Sequence, residues 1–295
     1  MELTQLRYFQ VAANYEHISR AAEALNISQP ALSTMITRLE KELNVPLFDH
    51  NGRSIVLNEN GCRFLKRVNH ILTEVDSSKR ELQEMANEHD NTISLAVSSS
   101  QFLQGMHTFM YQHLDYKWHQ RVADNKEIIS LLNLGQIDMA VTSPGIYGND
   151  YHSILLSNDE FKLAVHKDNP LARKKSVRLR DIQDERFIML LKDLPFRIQT
   201  DRIFTELGIT PLYSMECDHL LRRELINANA GVTIASQSAS FRHLYSDNIR
   251  FLDIEDVHQT REIVLTYLND RHLSHASKAF ISFLKQKFSG DDLKS

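Results

Sequence analysis

Two short helical patterns of apolar positions open the chain. Leu6, Phe9 and Ala13 follow one another at i, i+3 and i+7, and Thr4 before them is placed to cap a helix. A second pattern runs from about residue 18 to residue 25, with inward alanines that allow another helix to cross closely. The spacing therefore predicts two short helices packed against each other.

A tight turn and a third helix follow. Ser28 is placed to cap this helix, and Pro30 falls in the first turn, where its missing N–H costs no hydrogen bond. One face is apolar and consists of Leu32, Ile36 and Leu39. The opposite face carries small polar groups and one long cation: Gln29, Ser33, Thr34, Thr37 and Arg38. This pattern is typical of a helix-turn-helix whose slim polar face can enter a major groove about 12 Å wide.

A hairpin is predicted directly after these helices. Apolar runs at residues 47–48 and 55–57 flank a polar segment that contains Asn51-Gly52, a favoured hairpin turn. A hairpin in this place forms a wing, and Arg53 at its tip could reach a minor groove. The alternative is a plain three-helix bundle with a solvated face, and the hairpin argues against it.

One long helix is predicted from about Glu59 to Glu88, because no proline and a single glycine interrupt the pattern. Val68, Val75 and Leu82 recur every seven residues. Further apolar residues lie between them: Ile71, Leu72 and Met85. Such a seam favours a partner helix over packing on the helix's own domain.

From Thr92 onward the pattern changes to strands that alternate with helices, which favours a mostly parallel α/β sheet. Apolar runs predict strands near residues 93–97, 137–141, 161–165, 187–191, 231–235, 249–252 and 263–268.

Several of these strands end in polar groups. Ser98-Ser99-Ser100-Gln101 follows the first strand, Thr142-Ser143 follows the second, and Leu194-Pro195-Phe196-Arg197 precedes a predicted helix in the later half. Hydroxyl and N–H groups that converge across a cleft suit a carboxylate or another small polar metabolite. The alternative is that the serines only cap a helix.

Composition excludes several classes of protein. With 295 residues, 42% hydrophobic and 24% charged, the chain can bury the cores of two domains, or of one small domain and a split larger one. It has no apolar run long enough to span a membrane and no secretory signal, so we expect a cytoplasmic protein. Two distant cysteines, Cys62 and Cys217, fit a reducing compartment.

Neither the net charge nor any catalytic motif provides evidence for a function. The net charge is −4, and the first 67 residues carry eight cationic and seven acidic side chains, so electrostatics alone does not indicate DNA. None of the common catalytic strings is present, so we expect no enzyme and no cofactor. His272 and His275 have a helical spacing but no evident third ligand, so we expect no metal site.

The string AAEALNISQPALSTMITRLEKELNVPLFDHNGRSIVLNENG, residues 21–61, resembles the signature of the LysR-type transcriptional regulators. The shared pattern is an alanine pair, Gln-Pro-Ala-Leu-Ser, a Leu-Glu, a Leu-Phe, and a wing arginine followed by a glycine. The likeness in length and layout extends over essentially the whole chain.

This resemblance implies DNA-contacting residues at Gln29, Pro30, Ser33, Thr34 and Arg38, with Arg53 in the wing. Two positions depart from the family's usual pattern. His17 stands at a cap position where serine is more common, and Thr34 stands where many members have arginine. The second departure removes a cation from the face that would read DNA.

The resemblance also implies a fold and a domain division. We expect an N-terminal winged helix-turn-helix at residues 1–60 and a linker helix for dimerisation at 61–90. An α/β effector domain of two lobes, similar to those of periplasmic binding proteins, is expected at 91–295. Lobe I would span residues 91–162 and 268–295, lobe II would span 163–267, and the hinge would lie near Leu163 and Thr266.

The family's effector contacts fall on strand ends and helix starts of this domain. The implied residues are Ser98, Ser99, Ser100, Gln101, Asn125, Thr142, Ser143, Phe196, Arg197 and Asp218. The family's peroxide sensors pair two cysteines in this domain, and Cys217 stands alone in it, so no disulfide switch is expected.

The sequence thus predicts a transcription regulator that binds double-stranded DNA and responds to a small-molecule effector, with a carboxylate as one candidate. A homodimer or homotetramer is expected, because paired reading helices match two half-sites on DNA. The alternative is a solute-binding or enzymatic α/β protein whose N-terminal bundle does not bind DNA.

Overall fold

The computed structural model describes residues 1–51, 54–85, 91–103, 106–237 and 246–289. Three helices and a hairpin come first, and their bounds are α1 (Leu3–Tyr15), α2 (Ile18–Ala24), α3 (Gln29–Leu43), β1 (Phe48–Asn51) and β2 (Ser54–Leu57). The strands pair antiparallel from Phe48 opposite Leu57 to Asn51 opposite Ser54. The helix-turn-helix and the two strands of the wing are therefore both present.

The start of α1 differs from the prediction. The helix begins at Leu3, and the side chain of Gln5 accepts the N–H of Glu2 at 2.8 Å. Thr4 therefore lies inside the first turn and does not cap the helix. The backbone N–H of Glu2 is satisfied by the side chain of Gln5 instead.

The N-terminal core surrounds Phe9, which is fully buried. Its ring centroid lies 5.5 Å from that of Phe48 and 5.1 Å from that of Phe64. The alanines at 21 and 22 are buried where the helices cross, as their small size requires. Strand β1 and the long helix that follows the wing are thus packed on one aromatic cluster.

That long helix, α4, spans Glu59–Met85. Gly61 in its first turn has a steric role, since a Cβ at this position would lie 2.0 Å from the carbonyl oxygen of Leu47. Any larger residue would push the wing and the helix apart.

The predicted seam of α4 is only partly free for a partner helix. Val68 and Leu72 are buried in the core of the N-terminal domain, so the expectation that this helix packs little on its own domain is wrong for its first half. The reason is that α1 lies across α4, and Arg7 of α1 donates to Asp76 at 2.8 Å. Leu82, near the other end, is 67% exposed.

The C-terminal part contains ten strands and five helices within the described residues. Their bounds are β3 (Thr92–Val97), α5 (His107–Gln112), β4 (Lys117–Val122), α6 (Asn125–Asn133), β5 (Met139–Thr142), β6 (Tyr151–His166), β7 (Ser176–Val177), β8 (Phe187–Leu190), α7 (Pro195–Leu207), β9 (Tyr213–Cys217), α8 (His219–Asn227), β10 (Thr233–Gln237), β11 (Ile249–Ile254), β12 (Thr260–Leu268) and α9 (His275–Ser289).

The main sheet is mixed, which corrects the expectation of a mostly parallel one. Its strand order is β4-β3-β5-β12-β6-β11-β7, with β10 also pairing with β6. Parallel pairs occur at its two ends, whereas β5, β12, β6, β10 and β11 are joined by antiparallel pairs. Strands β8 and β9 form a separate parallel pair. The antiparallel centre arises because β6 and β12 run through both halves of the domain.

The two largest hydrophobic cores of this domain lie in different lobes. The first core includes residues 93–156 and 263–288, and the second includes residues 161–254. The chain therefore changes lobe on β6 between Leu156 and Phe161, and it returns on β12 just before Ile263. The predicted return at 267/268 is too late, because Ile263 and Leu265 already pack in the first core.

The expected hinge residues lie inside the lobes. Leu163 is opposite Ile234 and belongs to the second core, and Thr266 is opposite Ala140 in the first lobe. On each strand the chain crosses between the lobes before these residues, near the register shift of β6 against β12 between Ile263 and Val264.

Candidate functional site

The polar face of α3 is exposed along its length. Leu32, Ile36 and Leu39 are buried on the other side, as predicted. The exposed side holds all five candidates of this helix: Gln29, Pro30, Ser33, Thr34 and Arg38. Ser28 caps the helix with its side chain, which accepts the N–H of Ala31 at 3.4 Å. The cap and the buried face together fix how the polar face is presented to solvent.

Two hydrogen bonds orient side chains on this face. The hydroxyl of Ser19 on α2 donates to Oε1 of Gln29 at 3.0 Å, so the amide nitrogen of Gln29 keeps its N–H groups for another partner. The hydroxyl of Thr34 donates to the carbonyl oxygen of Pro30 at 2.8 Å. Thr34 thus presents mainly its methyl group and an acceptor oxygen.

The two remaining sequence predictions for this region have different outcomes. His17 occupies the cap position of α2 but makes no side-chain cap bond there, and its Nδ1 has no hydrogen-bond partner among the described residues. Arg53 lies outside the described residues, so its place in the wing stays a prediction.

A second polar cluster lies where the two lobes meet, and Ser143 is its centre. The N–H of Ser143 donates to Oγ of Ser98 at 3.0 Å, which joins the ends of β3 and β5. Its Oγ accepts from Nε of Arg261 at 3.1 Å and from Nε2 of Gln199 at 3.3 Å. Gln199 is on α7 of the second lobe, so one buried hydroxyl connects both lobes.

Arg261 lies between two aromatic rings. Its guanidinium carbon is 5.1 Å from the ring centroid of Phe102 in the first lobe and 4.7 Å from that of Phe196 in the second. The side chain is buried, and stacking on ring faces stabilises a desolvated cation.

A cavity of about 500 Å³ opens beside this arginine. Both lobes line it, the first through the segment before α6 and the second through α7 and the start of β12. The described lining residues are Asp124, Asn125, Pro144, Phe161, Asp193, Pro195, Ile198, Gln199, Arg202, Ile203, Glu206, Gln259, Thr260, Arg261 and Glu262. This volume suits a small metabolite.

The other predicted hydroxyl and amide residues lie at the ends of β3 and β5 or at the start of α6. Ser99 is buried and accepts the N–H of Gln101 at 3.4 Å, while Ser100 is exposed at the start of a 3₁₀ turn. Thr142 is fully buried, and its hydroxyl has no partner among the described residues. Asn125 begins α6 and lines the cavity.

Arg197 and Asp218 have structural roles. The Arg197 guanidinium is held by Asp201 at 2.6 Å, by Glu216 at 2.9 Å and by the carbonyl oxygen of Leu190 at 2.6 Å. These bonds use the N–H groups on Nε and Nη1, and Arg197 is not among the described residues that line the cavity, so the geometry places its charge inside the second lobe and does not favour the predicted effector contact. Asp218 caps α8 by accepting the N–H of Leu221 at 2.9 Å.

His219, the first residue of α8, is neutral at physiological pH. Burial, together with the positive charges of Arg222 and Arg261, lowers its pKa to about 3, although the nearby Asp218 acts to raise it. Its Nδ1 is buried without a hydrogen-bond partner among the described residues.

Neither Arg261 nor Gln199 was predicted from the sequence to belong to the site. Arg261 could have been found, because it shares the alternating phase of Ile263 and Leu265 on β12, and a cation in an apolar phase indicates a buried role. Gln199 has no comparable signal, since its contact depends on how the lobes meet.

The described part of the chain contains no group of three or more His, Cys, Asp or Glu placed to hold a metal ion. Burial raises the pKa of the Cys217 thiol, and Cys62 is exposed. None of the helices within the described ranges is both long and apolar enough to cross a membrane.

Two family models match the chain. The LysR substrate binding domain matches residues 86–289, and the bacterial regulatory helix-turn-helix protein of the lysR family matches residues 3–62. Together they cover both the helix-turn-helix and the two-lobed domain.

Full-length relatives agree with these matches. The HTH-type transcriptional regulator YybE of Bacillus subtilis is 29% identical, with 98% of this chain and 100% of the relative covered. The transcriptional dual regulator GltC of the same organism is also 29% identical, with 98% of each chain covered. Both relatives share the layout of this chain from end to end.

Solved structures share the fold. A full-length OxyR variant from Pseudomonas aeruginosa has a TM-score of 0.63 at 20% identity, covering 98% of this chain and 94% of that one. Full-length CbnR in complex with its target DNA has a TM-score of 0.53 at 21% identity, covering 97% of this chain and 100% of that one.

Proposed function

The chain belongs to the LysR family of bacterial transcription regulators, and from this premise we propose which residues read DNA and which bind the effector. It is a DNA-binding regulator with a C-terminal effector-binding domain, as its relatives are transcription regulators of the same layout. The proposed division is a winged helix-turn-helix at 1–60, a linker helix at 61–90 and an effector domain from 91 onward.

We propose that α3 enters the major groove with its exposed face. The residues assigned to DNA are Gln29, Pro30, Ser33, Thr34 and Arg38, together with Arg53 in the wing. The observation that carries the proposal is that this whole face is exposed and polar while the opposite face is buried. The N–H groups of Gln29 can donate to base-edge acceptors, and Arg38 can bind phosphate or guanine.

The proposed effector is a small carboxylate in the cavity between the lobes. Arg261 supplies a buried positive charge in the lining of this cavity. Ser143 accepts hydrogen bonds from Arg261 and Gln199, so its own O–H can donate to a carboxylate oxygen. The residues assigned to this site from the sequence are Ser98, Ser99, Ser100, Gln101, Asn125, Thr142, Ser143 and Phe196, and the geometry adds Gln199 and Arg261.

A second copy of the chain is the proposed partner of α4. Leu82 is 67% exposed and Ile71 is 40% exposed on this helix, and both lie on the predicted seam. A homodimer or homotetramer would place two copies of α3 at half-sites about 34 Å apart. We also place the protein in the cytoplasm and assign it no catalytic residue.

DNA binding by variants of α3 tests the central proposal. The full-length protein is titrated with the DNA upstream of its own gene at low salt, using fluorescence anisotropy. We expect Arg38→Ala and Ser33→Ala each to weaken binding by about fivefold or more, since a base-edge contact contributes roughly 1–3 kcal/mol. Arg173→Ala, which removes an exposed arginine from the effector domain, is the matched control and should bind normally.

Two results would contradict the proposal. One is failure of the unaltered protein to bind any upstream fragment at low salt, and the other is normal binding by both α3 variants.

A further inference from the structure

The charges around the interlobe cavity are unevenly divided. Four carboxylates line it, from Asp124, Asp193, Glu206 and Glu262, whereas two cations do, from Arg202 and Arg261. Arg261 stands at the hydroxyl cluster of Ser143, which leaves the remainder of the wall predominantly acidic. A ligand with only a carboxylate would therefore meet repulsion over part of the cavity.

Three of the four acidic side chains accept hydrogen bonds from neutral donors. Glu262 accepts from the phenol of Tyr147 at 2.7 Å, Glu206 accepts from the side-chain amide of Gln259, and Asp124 accepts from the backbone N–H of Glu127 at 2.8 Å. No ion pair joins these carboxylates to a cation within the described ranges. The contact with Glu262 raises the pKa of Tyr147 to about 12, as expected beside a charged carboxylate.

A buried acceptor in the same wall also lacks a donor. Nδ2 of Asn125 donates to the carbonyl oxygen of Pro144 at 3.0 Å, which sets the orientation of the amide. Oδ1 of Asn125 is buried and has no hydrogen-bond partner among the described residues. A buried acceptor without a donor costs free energy, so a ligand that donates an N–H group to Asn125 would recover that cost.

From these observations we propose that the effector is an amine-bearing acid, such as an amino acid, and is not a simple carboxylate. Its carboxylate faces Arg261 and Ser143, and its ammonium group faces Asn125 and the acidic side chains, of which Glu262 is the one we assign to specificity. This proposal rests on the proposed function, because it takes the interlobe cavity as the effector site.

Paired ligands provide the test. The full-length protein is titrated calorimetrically with the proteinogenic L-amino acids and, in parallel, with the carboxylic acids that lack only the α-amino group. We expect at least one amino acid to bind at least about fivefold more tightly than its deaminated partner, which is the size of effect expected from one or more partly exposed charge pairs. Glu262→Gln should reduce this ratio towards one, while Glu224→Gln, an exposed position on α8, should leave it unchanged.

The outcomes separate the two proposals. If deaminated acids bind as tightly as the amino acids or more tightly, the amine-bearing effector is refuted while a carboxylate effector stands. If neither series binds, the amine-bearing effector is refuted, and the carboxylate effector is refuted for the acids of this set. If an amino acid is preferred but Glu262→Gln keeps the full preference, Glu262 is not the residue that selects the ammonium group, and that assignment fails.

Discussion

The hydroxyl of Ser77 on α4 donates to the carbonyl oxygen of Asp270 at 2.9 Å, which ties the linker helix to the loop between β12 and α9. The same Oγ accepts the N–H of His272 at 3.0 Å. Nδ1 of His70, two turns earlier on the helix, lies 2.6 Å from the Asp270 carboxylate. The N-terminal unit is therefore joined to the first lobe by contacts that do not depend on residues 86–90.

The first prediction concerns this junction. Ser77 is buried, so Ser77→Ala leaves the Asp270 carbonyl and the His272 N–H without their partner. We expect the free energy of unfolding to fall by about 1–3 kcal/mol in urea denaturation. Ser78→Ala, at the exposed neighbouring position, should change it by less than about 0.5 kcal/mol. Equal effects of the two variants would show that the Ser77 bonds add no stability.

The second prediction concerns the orientation of Gln29. Ser19 holds the Gln29 amide through its hydroxyl, so Ser19→Ala should let this side chain rotate and should weaken operator binding by about two- to fivefold. Binding is measured by anisotropy with the upstream DNA at fixed salt.

A double-mutant cycle separates this role from direct DNA contact by Ser19. If Ser19 acts through Gln29, Ser19→Ala should have no further effect in a Gln29→Ala background. An undiminished effect in that background would mean that Ser19 acts independently of Gln29.

The third prediction concerns pH. The pKa of His219 is lowered to about 3 in the folded protein, against an ordinary value of 6.5, so below pH 6.5 the unfolded chain takes up a proton that the folded chain does not. This group should therefore cost stability as the pH falls from 6.5 towards 3, by up to about 1.4 kcal/mol per pH unit.

Urea denaturation at pH 7.5, 6 and 5 measures this effect as a difference between proteins. The stability gap between the unaltered protein and His219→Gln should shift in favour of the variant as the pH falls. His275→Gln, at an exposed histidine, should show no such shift. A gap that stays constant with pH for His219→Gln would show that the imidazole titrates normally.

The N-terminal unit could be predicted closely because its signals are local. The Ser28 cap, Pro30 in the first turn and the apolar face of α3 all act within a few residues of one another. Strands β4 and β9 could not be predicted in this way. β4 is exposed at nearly every position on the edge of the sheet, so its sequence lacks the alternation of a half-buried strand.

The interlobe site was predictable only in part. Ser98 and Ser143 follow strands, and polar residues at strand ends are a local signal. Arg261 meets Ser143 across 118 residues of chain, which depends on how β12 returns through the sheet. Arg197 was predicted to contact the effector, but in the structure Asp201 and Glu216 bind its guanidinium. The sequence alone cannot distinguish an arginine that faces a ligand from one that pairs with carboxylates of its own domain.

The pairing of strands β6 and β12 limits how the two lobes can move relative to each other. They are hydrogen-bonded from Thr260 opposite Glu160 to Leu268 opposite Tyr151, with one register shift at Ile263. Because both lobes are built on this one ladder, we expect the lobes to close by torsion about its length, since separation would break its hydrogen bonds. The far end of β12 leads directly to Asp270, so such torsion would turn the loop to which the linker helix is attached.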